Sequence, residues 1–184
     1  SDRRTKRSEE IKAELQLANM LPFSASTPAG TISGEHHEAQ RGEEVDRQLD
    51  ATVREACRVS IESRVLELRS LSLYTVPRRV FALATLKRLD VSRNHISSLP
   101  ASSQRLIQLE VLILDSNSFS SFPIEVYAME QLCYLSLRHN HLHSLPSSIH
   151  LLPSSLCTLD MSANSISSLP LTLCKLTGLA ELLL

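Results

Sequence analysis

The spacing of proline constrains this chain more than any other feature. Pro77, Pro100, Pro123 and Pro146 stand 23 residues apart, and Pro170 follows after 24. Each closes the same string. Leu86-x-x-Leu89-x-Val91-x-x-Asn94-x-Ile96-x-x-Leu99 precedes Pro100, and Leu109-x-x-Leu112-x-Leu114-x-x-Asn117-x-Phe119-x-x-Phe122 precedes Pro123. Two further copies run from Leu132 to Pro146 and from Leu156 to Pro170. A degenerate first copy holds Leu66, Leu68, Leu71, Leu73 and Val76, with Leu71 where the others carry Asn; a sixth begins at Leu179-x-x-Leu182-x-Leu184. A period of this length describes stacked units, each too small to bury a hydrophobic face alone.

Within each unit the paired leucines alternate, so both point to one side of a short strand. Asn94, Asn117, Asn140 and Asn164 follow where the chain must bend inward. There an amide can satisfy backbone groups that would otherwise be buried unpaired, and stacking the units predicts an asparagine ladder. The back of each unit shows apolar residues three apart: Val80, Leu83 and Leu86; Val126, Met129 and Leu132; Ile149 and Leu152; Leu173, Leu176 and Leu179. That spacing predicts a short helix or helical turn. Ser103 breaks the stripe in the second unit, which should therefore be looser. The extra residue of the 24-residue unit lies around Pro153-Ser154-Ser155.

The string resembles the intracellular leucine-rich repeats with a Leu-Pro signature, as found in Ras-group scaffolds and in kinase, phosphatase and ubiquitin-ligase adaptors. The resemblance covers residues 63–184. It implies an α/β class fold: a right-handed solenoid with a parallel sheet on its concave face. It implies protein–protein recognition as the activity and leaves the partner open, because the repeating residues record the core and not the ligand.

Composition narrows the classes. A formal net charge of -1 argues against a strongly basic nucleic-acid surface, and the absence of Trp argues against base-stacking platforms. No apolar run approaches the length of about 20 residues that spans a bilayer. The four cysteines, Cys57, Cys133, Cys157 and Cys174, form no CxxC pair, and the sequence has no N-x-S/T sequon. Both features favour a reducing, intracellular compartment, most simply the cytoplasm, with a cytoskeletal, ciliary or organellar assembly also compatible. Cys133 and Cys157 occupy equivalent slots of adjacent units and should lie near one another as free thiols. The chain begins with Ser1 and stops inside an apolar strand, so a longer natural protein, or a partner on the open edge, is expected.

Residues 1–42 read as a helix followed by an extended arm. The helix is expected over 8–20, capped by Ser8 with Glu9 and Glu10 in its first turn, and with Ile11, Leu15 and Ala18 on one stripe beside Leu17 and Met20. Packing on the second helix or docking on a partner are both open to it. The Ser/Thr/Gly/Pro-rich stretch from Pro22 to Gly42 reads as linker. Residues 43–62 form the entry to the repeats: a helix over Glu43 to Arg58, with Val45, Leu49, Val53 and Cys57 recurring every four residues, suits a cap on the first repeat. Arg3-Arg4-Thr5-Lys6-Arg7 reads as a solvated helix start, or alternatively as a phosphate-contacting arm for RNA.

Binding should fall between the leucines. Those positions project from the concave sheet: Val65, Arg88, Val111, Tyr134, Thr158 and Glu181 in one column, and Glu67, Asp90, Ile113, Ser136, Asp160 and Leu183 in the next. An apolar centre of Val111, Ile113 and Tyr134 is ringed by Arg88, Arg93 and Arg138 and by Asp90, Asp115 and Asp160. Aromatic and Arg residues dominate interface energetics, which favours Tyr134, Ile113, Arg88 and Arg138 as contacts. The candidate protein-binding set is thus Arg88, Asp90, Val111, Ile113, Asp115, Tyr134, Ser136, Arg138 and Asp160.

No catalytic motif stands out. There is no G-x-S-x-G, P-loop or H-E-x-x-H string, and four glycines provide no phosphate-cradling loop. The run His139-Asn140-His141-Leu142-His143 is the most metal-like feature. It lacks an accompanying carboxylate or Cys pair and reads as loop histidines. The expectation is a non-enzymatic interaction module without metal or cofactor, serving as a structural or scaffold subunit of a multi-subunit assembly. The alternatives are the targeting region of a ubiquitin-ligase or phosphatase complex, or a ribonucleoprotein component.

Overall fold

The computed structural model describes residues 2–20 and 37–184, with side chains over 3–13 and 49–184. Two helices, α1 (Asp2–Met20) and α2 (His37–Ser63), precede six three-residue strands. These are β1 (Val65–Glu67), β2 (Arg88–Asp90), β3 (Val111–Ile113), β4 (Tyr134–Ser136), β5 (Thr158–Asp160) and β6 (Glu181–Leu183). They pair in sequence order as one open, entirely parallel sheet. Of the stretch from Pro22 to Gly42 read as linker, residues 37–42 belong to α2 and not to a linker, and residues 22–36 lie outside the described residues. So do the side chains of Val45, Leu15, Leu17, Ala18 and Met20.

The register follows the repeat. Val65, Arg88, Val111, Tyr134, Thr158 and Glu181 stand side by side, and Leu66, Leu89, Leu112, Leu135, Leu159 and Leu182 form the next row. Between turns of the solenoid, the asparagines bond as a ladder. Asn117 donates from Nδ2 to the carbonyls of Val91 (3.0 Å) and Leu114 (3.1 Å), while its Oδ1 accepts the Ile96 N–H at 3.0 Å. Asn94, Asn140 and Asn164 repeat this one unit up or down, always tying their own strand to the preceding one. In the first unit, which has Leu71 in place of Asn, the Oδ1 of Asn94 accepts from both Leu71 and Leu73 at 3.0 Å.

The inward bend is made by the residue before each ladder position. Ser70, Arg93, Ser116, His139 and Ala163 have φ between 52° and 58°, the left-handed region, although none is glycine. Such residues carry strain on the order of 1 kcal/mol each. The hydrogen bonds on either side fix them there. In the run of histidines, therefore, His139 makes the bend, Asn140 is a ladder residue, Leu142 is core, and His141 and His143 are exposed.

The back of each unit is a single turn of 3-10 helix, not an α-helix: Arg78–Ala82, Ala101–Arg105, Ile124–Ala128, Ser147–Leu151 and Leu171–Lys175. Five residues per crossing favour the tighter winding. The proline enters each turn extended, and its carbonyl accepts the N–H three residues on, as at Pro77–Val80 (3.0 Å) and Pro100–Ser103 (2.9 Å). The second turn is no looser than the rest. Ser103 is buried and its Oγ donates to the Pro100 carbonyl at 2.7 Å, so the hydroxyl is satisfied where an apolar residue was expected. The extra residue of the longer unit is also absorbed here: Ser155 Oγ bonds the carbonyls of Glu130 and Leu132, both at 2.8 Å, and the register between β4 and β5 is unbroken.

α2 begins at His37 and ends at Ser63, longer at both ends than the span of 43–58 expected from its apolar spacing. Val53 and Cys57 enter the main core, with Leu49 and Ala56 packed against it. Asp50 anchors the helix to the first 3-10 turn through Arg79 at 2.7 Å. That core continues without a break to Met161.

The ladder gives a graded expectation. Asn117→Ala orphans the buried Ile96 N–H and leaves the Val91 and Leu114 carbonyls with only the donors from Asn94 and Asn140. It should lower unfolding free energy by about 3 kcal/mol, the upper end of the ~1–3 kcal/mol cost of an unsatisfied buried group. Asn164→Ala, at the half-buried end of the ladder, should cost about 1 kcal/mol. Urea titration of both variants measures the difference.

Candidate functional site: a helix seated on the concave sheet

α1 starts at Asp2, six residues before the expected cap, because nothing in Arg3–Arg7 resists helix formation. Ser8 is not a cap. It lies inside the helix, buried, with its Oγ 2.6 Å from Thr158 Oγ1 and donating to Glu181 at 3.4 Å. Arg7, Ser8, Ile11 and Lys12 share one face of the helix at i, i+1, i+4 and i+5. Glu9, Glu10 and Ala13 on the other side are exposed.

That face sits on the concave sheet, neither on α2 nor free. Arg7 pairs with Glu110 at 2.9 Å, and Lys12 pairs with Glu181. A Cβ placed on Gly178 would come within 3.1 Å of the Arg4 guanidinium and 2.6 Å of the Ser154 carbonyl, so glycine at this position lets both approach. Ile11 closes a small apolar cluster with Val111, Ile113, Cys133 and Tyr134, separate from the main core. The apolar centre read from the sequence is thus brought together, but it is not an open surface. Val111, Ile113 and Tyr134 are 8%, 6% and 8% exposed, covered by the chain's own helix.

The polar candidates form a network around it. Asp90 is buried, pairs with Arg69 at 2.6 Å and accepts the Ser92 N–H. Asp160 accepts from Ser162 and lies 3.7 Å from Arg138. Asp115 accepts from the Ser136 hydroxyl and the Arg138 N–H. Arg88 is mostly buried, 3.6 Å from Glu67. Of the expected contacts, only Arg138 keeps half of its side chain in solvent. Between α1 and the sheet remains a cavity of about 780 Å³, lined by Lys12, Arg69, Arg93, Asp115, Tyr134, Arg138, His139 and Asp160 among others.

Burial dominates the electrostatics. It pushes the Asp115 carboxyl up, and the neighbouring Asp160 and Asp90 push further, against the hydrogen bonds from Ser136 and Arg138. The Tyr134 phenol is pushed up to about 12 by burial and by Asp115 and Asp160. Burial raises the Cys133 thiol, opposed by the nearby Arg7. Glu110 goes the other way: burial pushes it up, but Lys87 at 2.7 Å and Arg7 together hold it below the ordinary range. Cys133 and Cys157 are neighbours in adjacent units, the Cys157 N–H donating to the Cys133 carbonyl at 2.8 Å, and both are buried and not disulfide-bonded. No group of three metal-ligating side chains exists among the described residues. None of the described helices is long and apolar enough to cross a membrane.

The seat of α1 was missed because sequence reasoning had only the Ile11 stripe. A residue at 7–12 meeting partners at 110–181 leaves no local periodic trace. Burying Ile11 contributes roughly 1.5–3 kcal/mol, and each half-exposed ion pair on the order of 0–1 kcal/mol.

Two outcomes follow. Ile11→Asp should unseat α1 and speed alkylation of Cys133 by at least ~10-fold, the factor equivalent to about 1.4 kcal/mol of lost docking, with exposed Cys174 as unchanged control. Peptide mass mapping after iodoacetamide treatment reads both sites. Asp115→Asn should melt higher than the parent at neutral pH. An elevated folded-state pKa means that the Asp115 contribution is fully present below the unfolded value and lost as pH rises through the folded one. The difference in Tm should therefore shrink as the pH is lowered, in paired thermal melts.

Comparison with known proteins agrees with the repeat. Leucine-rich-repeat family models match residues 64–119 and 155–176. No curated protein matches by sequence. Among solved structures, a chain of the BIR3–SERK2 complex from Arabidopsis thaliana is 28% identical with a TM-score of 0.51, over 64% of this chain and 68% of that one. The leucine-rich-repeat ectodomain of the receptor kinase SOBIR1, also from Arabidopsis thaliana, is 29% identical with a TM-score of 0.51, over 64% and 65%. A leucine-rich-repeat protein of Leptospira interrogans is 25% identical with a TM-score of 0.49, over 61% and 34%, so this chain spans about a third of that protein's length. With its repeats, parallel sheet and asparagine ladder, the chain is a leucine-rich-repeat protein.

Proposed function

We propose that this chain is a non-enzymatic protein-binding module that takes its partner on the concave face, as a structural or scaffold subunit of a larger intracellular assembly. One observation carries the reading. The concave sheet presents an apolar centre of Val111, Ile113 and Tyr134 within a ring of paired charges, and a helix already occupies it. A compact apolar patch with a polar rim is the anatomy of a protein interface. The similarity to a chain crystallised in the BIR3–SERK2 complex supports it. The candidate contacts are Arg88, Asp90, Val111, Ile113, Asp115, Tyr134, Ser136, Arg138 and Asp160, with Arg138 on the accessible rim. Four free cysteines fit a reducing compartment.

A photocrosslinking amino acid at position 138 tests this against one at Leu171, which is 93% exposed on the back of the solenoid. Position 138 should capture a defined partner in cells, and Ile113→Asp should abolish the capture. A partner captured from 171 and not from 138 rejects the concave assignment.

A further inference from the structure

We propose that α1 is an intramolecular stand-in for the partner, and that the partner segment is a basic amphipathic helix which displaces it. This rests on the concave face being the partner surface. The solenoid supplies a receptor of defined chemistry: a carboxylate at Glu110, a hydroxyl at Thr158, an apolar socket under Ile11 and a second carboxylate at Glu181. α1 answers with Arg7, Ser8, Ile11 and Lys12 on one face. An incoming helix with a cation, a small polar residue, a branched aliphatic and a cation at i, i+1, i+4 and i+5 satisfies the same acceptors. Helix-in-groove recognition reads this kind of spacing.

The geometry also makes α1 removable. Among the described residues, no α1 side chain belongs to the main core, which runs from Val53 to Met161. Ile11 is the only described α1 member of the smaller cluster, and the ion pairs of Arg7 and Lys12 are with acids that remain partly in solvent. The outward face of α1 stays charged through Glu9 and Glu10. The described contact is helped by the tether, which keeps α1 close at an effective concentration on the order of millimolar. An external helix of the same chemistry then competes with the tethered one, and the concave face alternates between a closed and an occupied state.

A fluorescent peptide of residues 2–20 tests this on the full chain. It should bind the Ile11→Asp chain at least ~10-fold more tightly than the parent, whose site is already filled. Added salt should weaken the binding, and a peptide carrying Arg7→Glu and Lys12→Glu should not bind. Ile11→Ala serves as a milder opening variant, and circular dichroism melts check that both variants fold. Equal affinity for parent and opened chains overturns the proposal, as does absence of binding to both opened variants. Displacement of α1 by single-stranded RNA but not by the peptide overturns it in favour of phosphate recognition. Crosslinking from position 138 separates this outcome from the broader reading. Capture that is intact but no stronger in the opened chain leaves the concave interface standing and removes α1 as its gate.

Discussion

The hydrogen bonds of the asparagine column hold this architecture in register, because each amide spans two successive units at once. One nitrogen donates to a carbonyl of its own strand and to one of the strand before, while the oxygen takes an N–H that the bend would otherwise orphan. Three-residue strands have few ladder bonds of their own, so their alignment depends on these side chains and on the leucine rows behind them. The strain of five non-glycine residues at positive φ is sustained by the same bonds. Unit by unit, the fold is a sum of neighbour contacts.

A fixed register turns scattered residues into columns. Val111 and Tyr134 are 23 positions apart in the chain and side by side in the sheet. That pairing, with Ile113 two positions along β3, makes the apolar centre, and two acids, Glu110 just before β3 and Glu181 at the start of β6, flank it. Neither feature belongs to any single repeat. The concave chemistry is a property of the stack, and so is its fit to a helix of opposite charge.

Much of this was legible because it is local or periodic. The leucines, the ladder asparagines and the prolines repeat at a fixed spacing, and that spacing alone locates the strands, the bend and the columns. The winding of the back was not legible, since apolar residues three apart suit an α-turn and a 3-10 turn equally. Ser103 looked like a defect only because its hydroxyl partner, the Pro100 carbonyl, is a backbone atom that no residue pattern reveals. The bend positions Ser116, His139 and Ala163 carry no glycine to announce their conformation. The concave residues were identified as a group but read as exposed. Their burial depends on α1, whose partners lie more than 95 residues downstream of it.

The longer unit has a bearing on how such a surface can change. Its extra residue is taken up entirely behind the sheet, where Ser155 fastens the widened crossing to the unit below while the strands in front stay aligned. At this crossing the back takes an extra residue and the register in front is unchanged. A convex crossing of this kind has room for a further residue while the strands in front keep their pairing. A lineage built on this plan can therefore lengthen its spine at such a crossing and keep its strands in step.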